Sequence, residues 1–168
     1  MKIWLTVCFM AMAFSFPSTS MAEEEIGRLS LDDPAGLGLI VEKDPAVKVE
    51  GQASVKIVTK LPTTINLGEM APLDLDNTRL IYKAQVKSDE LKGTAYLEMW
   101  CFFGKNKYFS RGLNSVISGT ADWKTLETPF FLKPGEKPDK IMLNIVINGQ
   151  GTIWVDGVQV SKTIEQEM

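Results

Sequence analysis

Tyr96, Glu98 and Trp100 alternate along the run from Thr94 to Phe103, T-A-Y-L-E-M-W-C-F-F. Side chains of a strand point to opposite faces in turn, so these three share one side with Phe102, and Ala95, Leu97, Met99, Cys101 and Phe103 share the other. An unpaired carboxylate is costly to bury, so Glu98 assigns the even-numbered side to solvent or a ligand and the odd-numbered side to the core. The chemistry open to such a face is stacking. Sugars present flat patches of C–H groups to aromatic rings, and their hydroxyls pair with carboxylates, amides and ammonium groups. Lys83, Gln85 and Asn144 would complete that mixture if their strands lie beside the run. The competing reading is plain: large aromatics suit strands, and some stay partly exposed without binding anything.

Other chemistries are poorly served. The chain has no histidine, which removes Ser-His and Cys-His nucleophile pairs and every His-ligated metal site. No phosphate-cradling glycine motif is present, and Gly149-Gln150-Gly151 reads as a hairpin turn. Glycoside hydrolysis needs two carboxylates. Glu98 lies on a suitable face, but no partner for it is identifiable, and the chain is expected not to be an enzyme.

The elements that must position these residues are short strands. Leu39 to Glu42 and Ala53 to Lys60 are the first two, the latter alternating Val55 and Ile57 against Ser54 and Lys56. Thr64 to Leu67 is a third, followed by a loop through Asn77. Thr78 to Lys87 sets Leu80, Tyr82, Ala84 and Val86 against Lys83, Gln85 and Lys87. With Ser88 to Gly93 as a turn, it would form an antiparallel hairpin with the Thr94 run, placing Lys83 and Gln85 on the outer face of Glu98 and Trp100. Tyr108 to Arg111 resumes a strand after a turn at Gly104 to Lys107, and Trp123 to Leu132 follows, with Pro129 suited to an edge or a bulge. Ile141 to Asn148 puts Ile141, Leu143, Ile145 and Ile147 on one side and Asn144 on the other. In the last strand the parity of Ile153 and Val155 differs from that of Val158 and Val160. A one-residue bulge at Asp156-Gly157, with glycine at positive φ, reconciles them. Eight to ten short strands without a helical period predict an all-β, two-sheet antiparallel sandwich, a jelly roll.

Residues 1 to 22 read as a secretory signal peptide: Lys2, an apolar run, and a small-x-small pattern at Ser20 and Ala22. The run is too short to favour a spanning helix, and no other transmembrane segment follows it. Cleavage would leave 146 of the 168 residues, enough for one domain with a hydrophobic core. The organisation expected is a flexible segment over 23 to 38, a sandwich over 39 to 162, and a tail over 163 to 168. The net charge of −3 drops by one more with Lys2, and no basic run exists to meet phosphates, which argues against nucleic acid. Cys101 is the one cysteine left in the mature chain, so no internal disulfide forms, and its side of the strand makes it a small core hydrophobe.

Three stretches resemble landmarks of a known group. Gly51-Gln-Ala-Ser-Val-Lys-Ile, Gly119-Thr-Ala-Asp-Trp123 with Pro129-Phe130, and Gly151-Thr-Ile-Trp-Val-Asp156-Gly-Val are similar, in order and spacing, to the galactose-binding-like jelly rolls that include CenC-type carbohydrate-binding modules. The similarity spans Leu39 to Val160. It implies a noncatalytic sandwich that binds glycans on a concave sheet or at its loops and often holds a structural calcium ion, with Asp156 where an associated aspartate stands. The remainder of such a calcium cage does not map onto this chain, and Asp156 reads equally well as a turn or bulge residue.

The expectation is a secreted or periplasmic module that binds a polysaccharide or oligosaccharide through Trp100, Tyr96, Glu98, Lys83, Gln85 and Asn144. The alternative is that the same face docks another exported protein or a second copy of the chain.

Overall fold

The structure is a computed structural model and describes residues 22–33, 36–38, 40–71 and 75–163. The expected signal peptide, apart from Ala22, and the expected tail beyond residue 163 lie outside the described residues. Among the described residues there are eight strands: β1 Glu23–Leu29, β2 Val41–Asp44, β3 Ser54–Thr59, β4 Thr63–Met70, β5 Arg79–Phe103, β6 Asn106–Arg111, β7 Ile117–Phe131 and β8 Lys140–Thr163. All pairings are antiparallel. The all-β sandwich expected from the alternating strands is present.

Two strands are far longer than the sequence pattern suggests. Thr78 to Lys87 and Thr94 to Phe103 do not fold back on each other as a hairpin; both belong to β5, which runs 25 residues. Ile141 to Asn148 and the final strand are likewise one element, the 24 residues of β8, so Gly149-Gln150-Gly151 is not a hairpin turn. β5 and β8 pair along their whole lengths, with shifts of register between Lys83 and Gln85 and between Asp89 and Lys92. The second shift is where both strands leave one layer and enter the other. Its chemistry is specific. Gly93 stands opposite Gly149, and a Cβ on Gly93 would lie 2.0 Å from the Asn148 carbonyl oxygen, just as one on Gly149 would lie 2.0 Å from that of Lys92. Gly93 also has φ of +122°, a conformation that glycine adopts at little cost.

Layer one therefore contains β7, the first half of β5 and the second half of β8, with β1 and β3 sharing the far edge of β8 and β2 outside β3. Layer two contains β6, the second half of β5, the first half of β8 and β4. Leu80, Tyr82, Ala84 and Val86 from the first half of β5 meet Leu97, Met99 and Cys101 from the second in one buried core, together with Ile141, Leu143, Ile145 and Ile147. Burial pushes the Cys101 thiol up to about 12, as expected of a packed hydrophobe rather than a reactive thiol.

Residues 23 to 29, expected to be flexible, are strand β1 on the edge of β8. A bulge between Glu25 and Gly27 interrupts the period of two, which is why the stretch carries no clean alternation. The bulge inferred at Asp156-Gly157 is present: Lys83 pairs with Gln159 but Gln85 with Asp156, and Gly157 has φ of +56°. Ile153, Val155, Val158 and Val160 all reach the core as a result. Pro129 lies on β7, at the edge of layer one, where a missing N–H is harmless.

Candidate functional site

The outer face of layer two carries two rows of alternating side chains. β5 supplies Tyr96, Glu98, Trp100 and Phe102; β6, joined to it by the tight turn at Gly104-Lys105, supplies Lys107, Phe109 and Arg111. The register sets Glu98 opposite Arg111, Trp100 opposite Phe109 and Phe102 opposite Lys107. On the other flank, β8 places Asn144 opposite Glu98 and Met142 opposite Trp100.

Glu98 ties these strands together. One carboxylate oxygen accepts the Trp100 indole N–H at 2.7 Å and the Asn144 amide at 3.1 Å, and the other accepts Arg111 Nε at 2.7 Å. The residue is only 5 % exposed, although it stands on the outer side of its sheet, because its own donors cover it. Burial raises its pKa, and the donors Arg111, Trp100 and Asn144 more than offset that, so the carboxyl titrates below its usual range. An acid held ionised in this way orients its neighbours; it is a poor proton donor.

Trp100 is half-buried, with its ring centroid 4.9 Å from that of Phe109 at a tilt of 47°. Phe109 is 49 % exposed and offers the larger open aromatic surface of the two. Tyr96 is 6 % exposed and Asn144 5 %, so Tyr96 serves the face by packing and Asn144 by its hydrogen bond to Glu98 more than by open surface. Lys107 Nζ lies 4.8 Å from the Trp100 ring centroid, and Lys140 Nζ lies 4.7 Å from that of Phe102.

Four of the six residues anticipated for the site, Trp100, Tyr96, Glu98 and Asn144, are brought together. Lys83 and Gln85 are not. They stand on the outer face of layer one, because β5 crosses between layers instead of turning back. There Lys83 pairs with Glu23 at 2.7 Å and Gln85 donates to Thr125 at 2.9 Å. Phe109, Arg111 and Lys107 were missed, although a signal existed: a two-residue turn at Gly104-Lys105 sets the register that puts Phe109 beside Trp100 and Arg111 beside Glu98.

Asp156 does not fit calcium. Its Oδ2 accepts the backbone N–H groups of Val49 at 2.7 Å and Glu50 at 3.0 Å, and its Oδ1 accepts that of Gly157 at 2.8 Å. Three N–H dipoles present their positive ends to this carboxylate, the surroundings of a loop anchor and not of a cation. Among the described residues no three His, Cys, Asp or Glu side chains converge as a metal cage.

Comparison with known proteins places the architecture. The chain shares its fold with the CBM22-1 xylan-binding domain of Paenibacillus barcinonensis Xyn10C, at a TM-score of 0.57 and 12 % identity over 88 % of this chain and 99 % of that one. It is also similar to the CBM22-1–GH10 modules of Clostridium thermocellum endo-1,4-beta-D-xylanase 10B, at 0.60 and 14 % over 86 % of this chain and 29 % of that one. A Stig cyclase, Fisc from Fischerella, matches at 0.52 and 15 % over 89 % and 93 %. No family model matches the sequence, and no curated protein does. The chain thus has the β-sandwich jelly-roll fold of carbohydrate-binding modules, and the CenC type remains a resemblance. A cyclase on the same fold means that function has to be argued from the site. No helix among the described residues is long and apolar enough to cross a membrane.

Proposed function

We propose that this protein is a noncatalytic carbohydrate-binding module, secreted or periplasmic, that holds a polysaccharide chain against the outer face of layer two. The observation that carries the reading is the Glu98 carboxylate, which locks Trp100, Arg111 and Asn144 from three strands into one prearranged surface beside Phe109. Sugar C–H faces would stack on Phe109 and the open part of Trp100, and ring hydroxyls would bond the terminal nitrogens of Arg111. A surface ordered before binding loses little side-chain entropy when the ligand arrives. The fold shared with xylan-binding modules supports the same reading. Lys83 and Gln85 have no part in it.

The test is affinity electrophoresis of the purified protein through gels containing neutral and acidic polysaccharides. Retardation by one glycan class, lost in Trp100→Ala while the thermal unfolding transition stays cooperative, is the expected result. Equal retardation of Trp100→Ala would overturn the assignment of the face, and no retardation in any gel would overturn the function. Export is checked by the N-terminus of the exported protein, expected at Glu23.

A further inference from the structure

The outward residues of β6 read cation, aromatic, cation: Lys107, Phe109, Arg111. Lys107 and Arg111 are four residues apart, about 13 Å along a strand, with the exposed Phe109 ring between them. Each cation is held against a ring. Lys107 Nζ lies 4.8 Å from the Trp100 centroid and 5.9 Å from that of Phe102, and the Arg111 guanidinium carbon lies 4.5 Å from the Phe109 centroid. Neither charge is fully matched. Lys107 has no carboxylate partner among the described residues, and Arg111 uses only Nε on Glu98, its terminal nitrogens making no hydrogen bond among the described residues. With Lys140, paired at 3.1 Å with Glu69, the face carries three cations and two carboxylates, on a chain whose net charge is −3.

This bears on what the rings can accept. An ammonium group centred over Trp100 competes with a neutral sugar for the same π surface, since both are drawn to its negative face. A ligand carrying its own anions removes the competition: it draws Lys107 off the ring into an ion pair and then stacks where the ammonium had been. The geometry points to an anionic glycan, bearing carboxylate or sulfate groups, laid along β6 with its anions at Lys107 and Arg111 and a sugar ring on Phe109. This inference rests on the platform reading given above and names its ligand class.

Matched polymers test it: polygalacturonate against its fully methyl-esterified form, and dextran sulfate against dextran, each by affinity electrophoresis at low and high NaCl. Retention of one acidic polymer over its neutral twin, falling steeply as salt screens the charges, is the expected result, and the pair that shows it tells carboxylate from sulfate. Lys107→Gln should weaken that binding about fivefold, the upper end of what one exposed ion pair supplies. Lys87→Gln, on the outer face of layer one, where Lys87 pairs with Asp122 at 2.8 Å, should leave it unchanged. Equal, salt-independent binding of neutral and acidic twins that still requires Trp100 would overturn the anionic ligand and leave the platform standing. Equal losses in Lys107→Gln and Lys87→Gln would reduce the effect to general charge and overturn the inference. Failure of every polymer to bind would overturn the platform and the inference together.

Discussion

On the outer face of layer one, Lys83 is held by Glu23 at 2.7 Å, Lys87 by Asp122 at 2.8 Å and Arg28 by Glu50 at 2.6 Å. The half-buried Trp154 there gives its indole N–H to Asp44 at 2.9 Å. Layer two is built on the same strands, β5 and β8, and yet its outer face leaves Lys107 with rings alone for partners and spends its buried carboxylate on organising Trp100, Arg111 and Asn144. Both faces contain a tryptophan whose N–H reaches a carboxylate, so a tryptophan near a charge does not by itself distinguish a binding surface. The distinction lies in what surrounds it. Layer one closes most of its charges on one another, with Lys56 beside Trp154 at 6.0 Å and Arg79 beside Phe131 at 5.5 Å standing apart, whereas layer two gathers its tryptophan, a second half-exposed ring and a guanidinium around one buried carboxylate.

That contrast can be broken at its root by filling the crossing of β5 and β8. Gly93→Ala would force a methyl group to within 2.0 Å of a backbone oxygen, with an expected loss of about 3 kcal/mol or more in urea unfolding, or no folded protein at all. At the level of binding, Trp100→Ala should cost about 2 to 3 kcal/mol of glycan affinity, as loss of an aromatic anchor does. Trp154→Ala should change that affinity less than twofold in the same titration. If the two substitutions weaken binding equally, the faces are not functionally distinct.

Glu98 sharpens the comparison through pH. Its folded-state pKa is lowered, so its contribution to stability is complete above the ordinary carboxylate range and is lost as pH falls through the folded value. Glu98→Gln should lower stability at neutral pH by about 1 to 3 kcal/mol, since Arg111 loses its partner and buried donors lose their acceptor. It should also flatten the acid side of the stability curve, below the ordinary carboxylate range. Glu23, lowered by its bonds from Lys83 and Ser161, remains in that variant and keeps part of the slope. The smallest effect is expected from Lys83→Ala: a few tenths of a kcal/mol, as for exposed ion pairs, and no change in glycan affinity by the same electrophoresis.

Much of the local structure was legible in residue order. Alternation assigned the core side of the Thr94 run correctly from Glu98 alone, and the parity clash between Val155 and Val158 located a bulge to the residue. Long-range placement was not legible. Ser88 to Gly93, S-D-E-L-K-G, has the composition of a hairpin turn, and only the glycine facing it from β8 reveals a crossing in which two backbones nearly touch. Lys83 and Gln85 were misplaced for that reason alone. Exposure was equally hidden: Tyr96 and Glu98 sit on the outer side as alternation requires, but the side chains that cover Glu98 come from Arg111 and Asn144, 13 and 46 positions away in the chain.

β5 and β8 are each a single span of backbone that serves both layers. Neither layer can be peeled away while the other keeps its central pair, because melting one half of either strand frees the end of the other half. A load applied to a glycan seated on Phe109 and Trp100 would therefore pass along two continuous chains into the opposite layer, and the sandwich would resist it as one mechanical body, without a hinge between its halves.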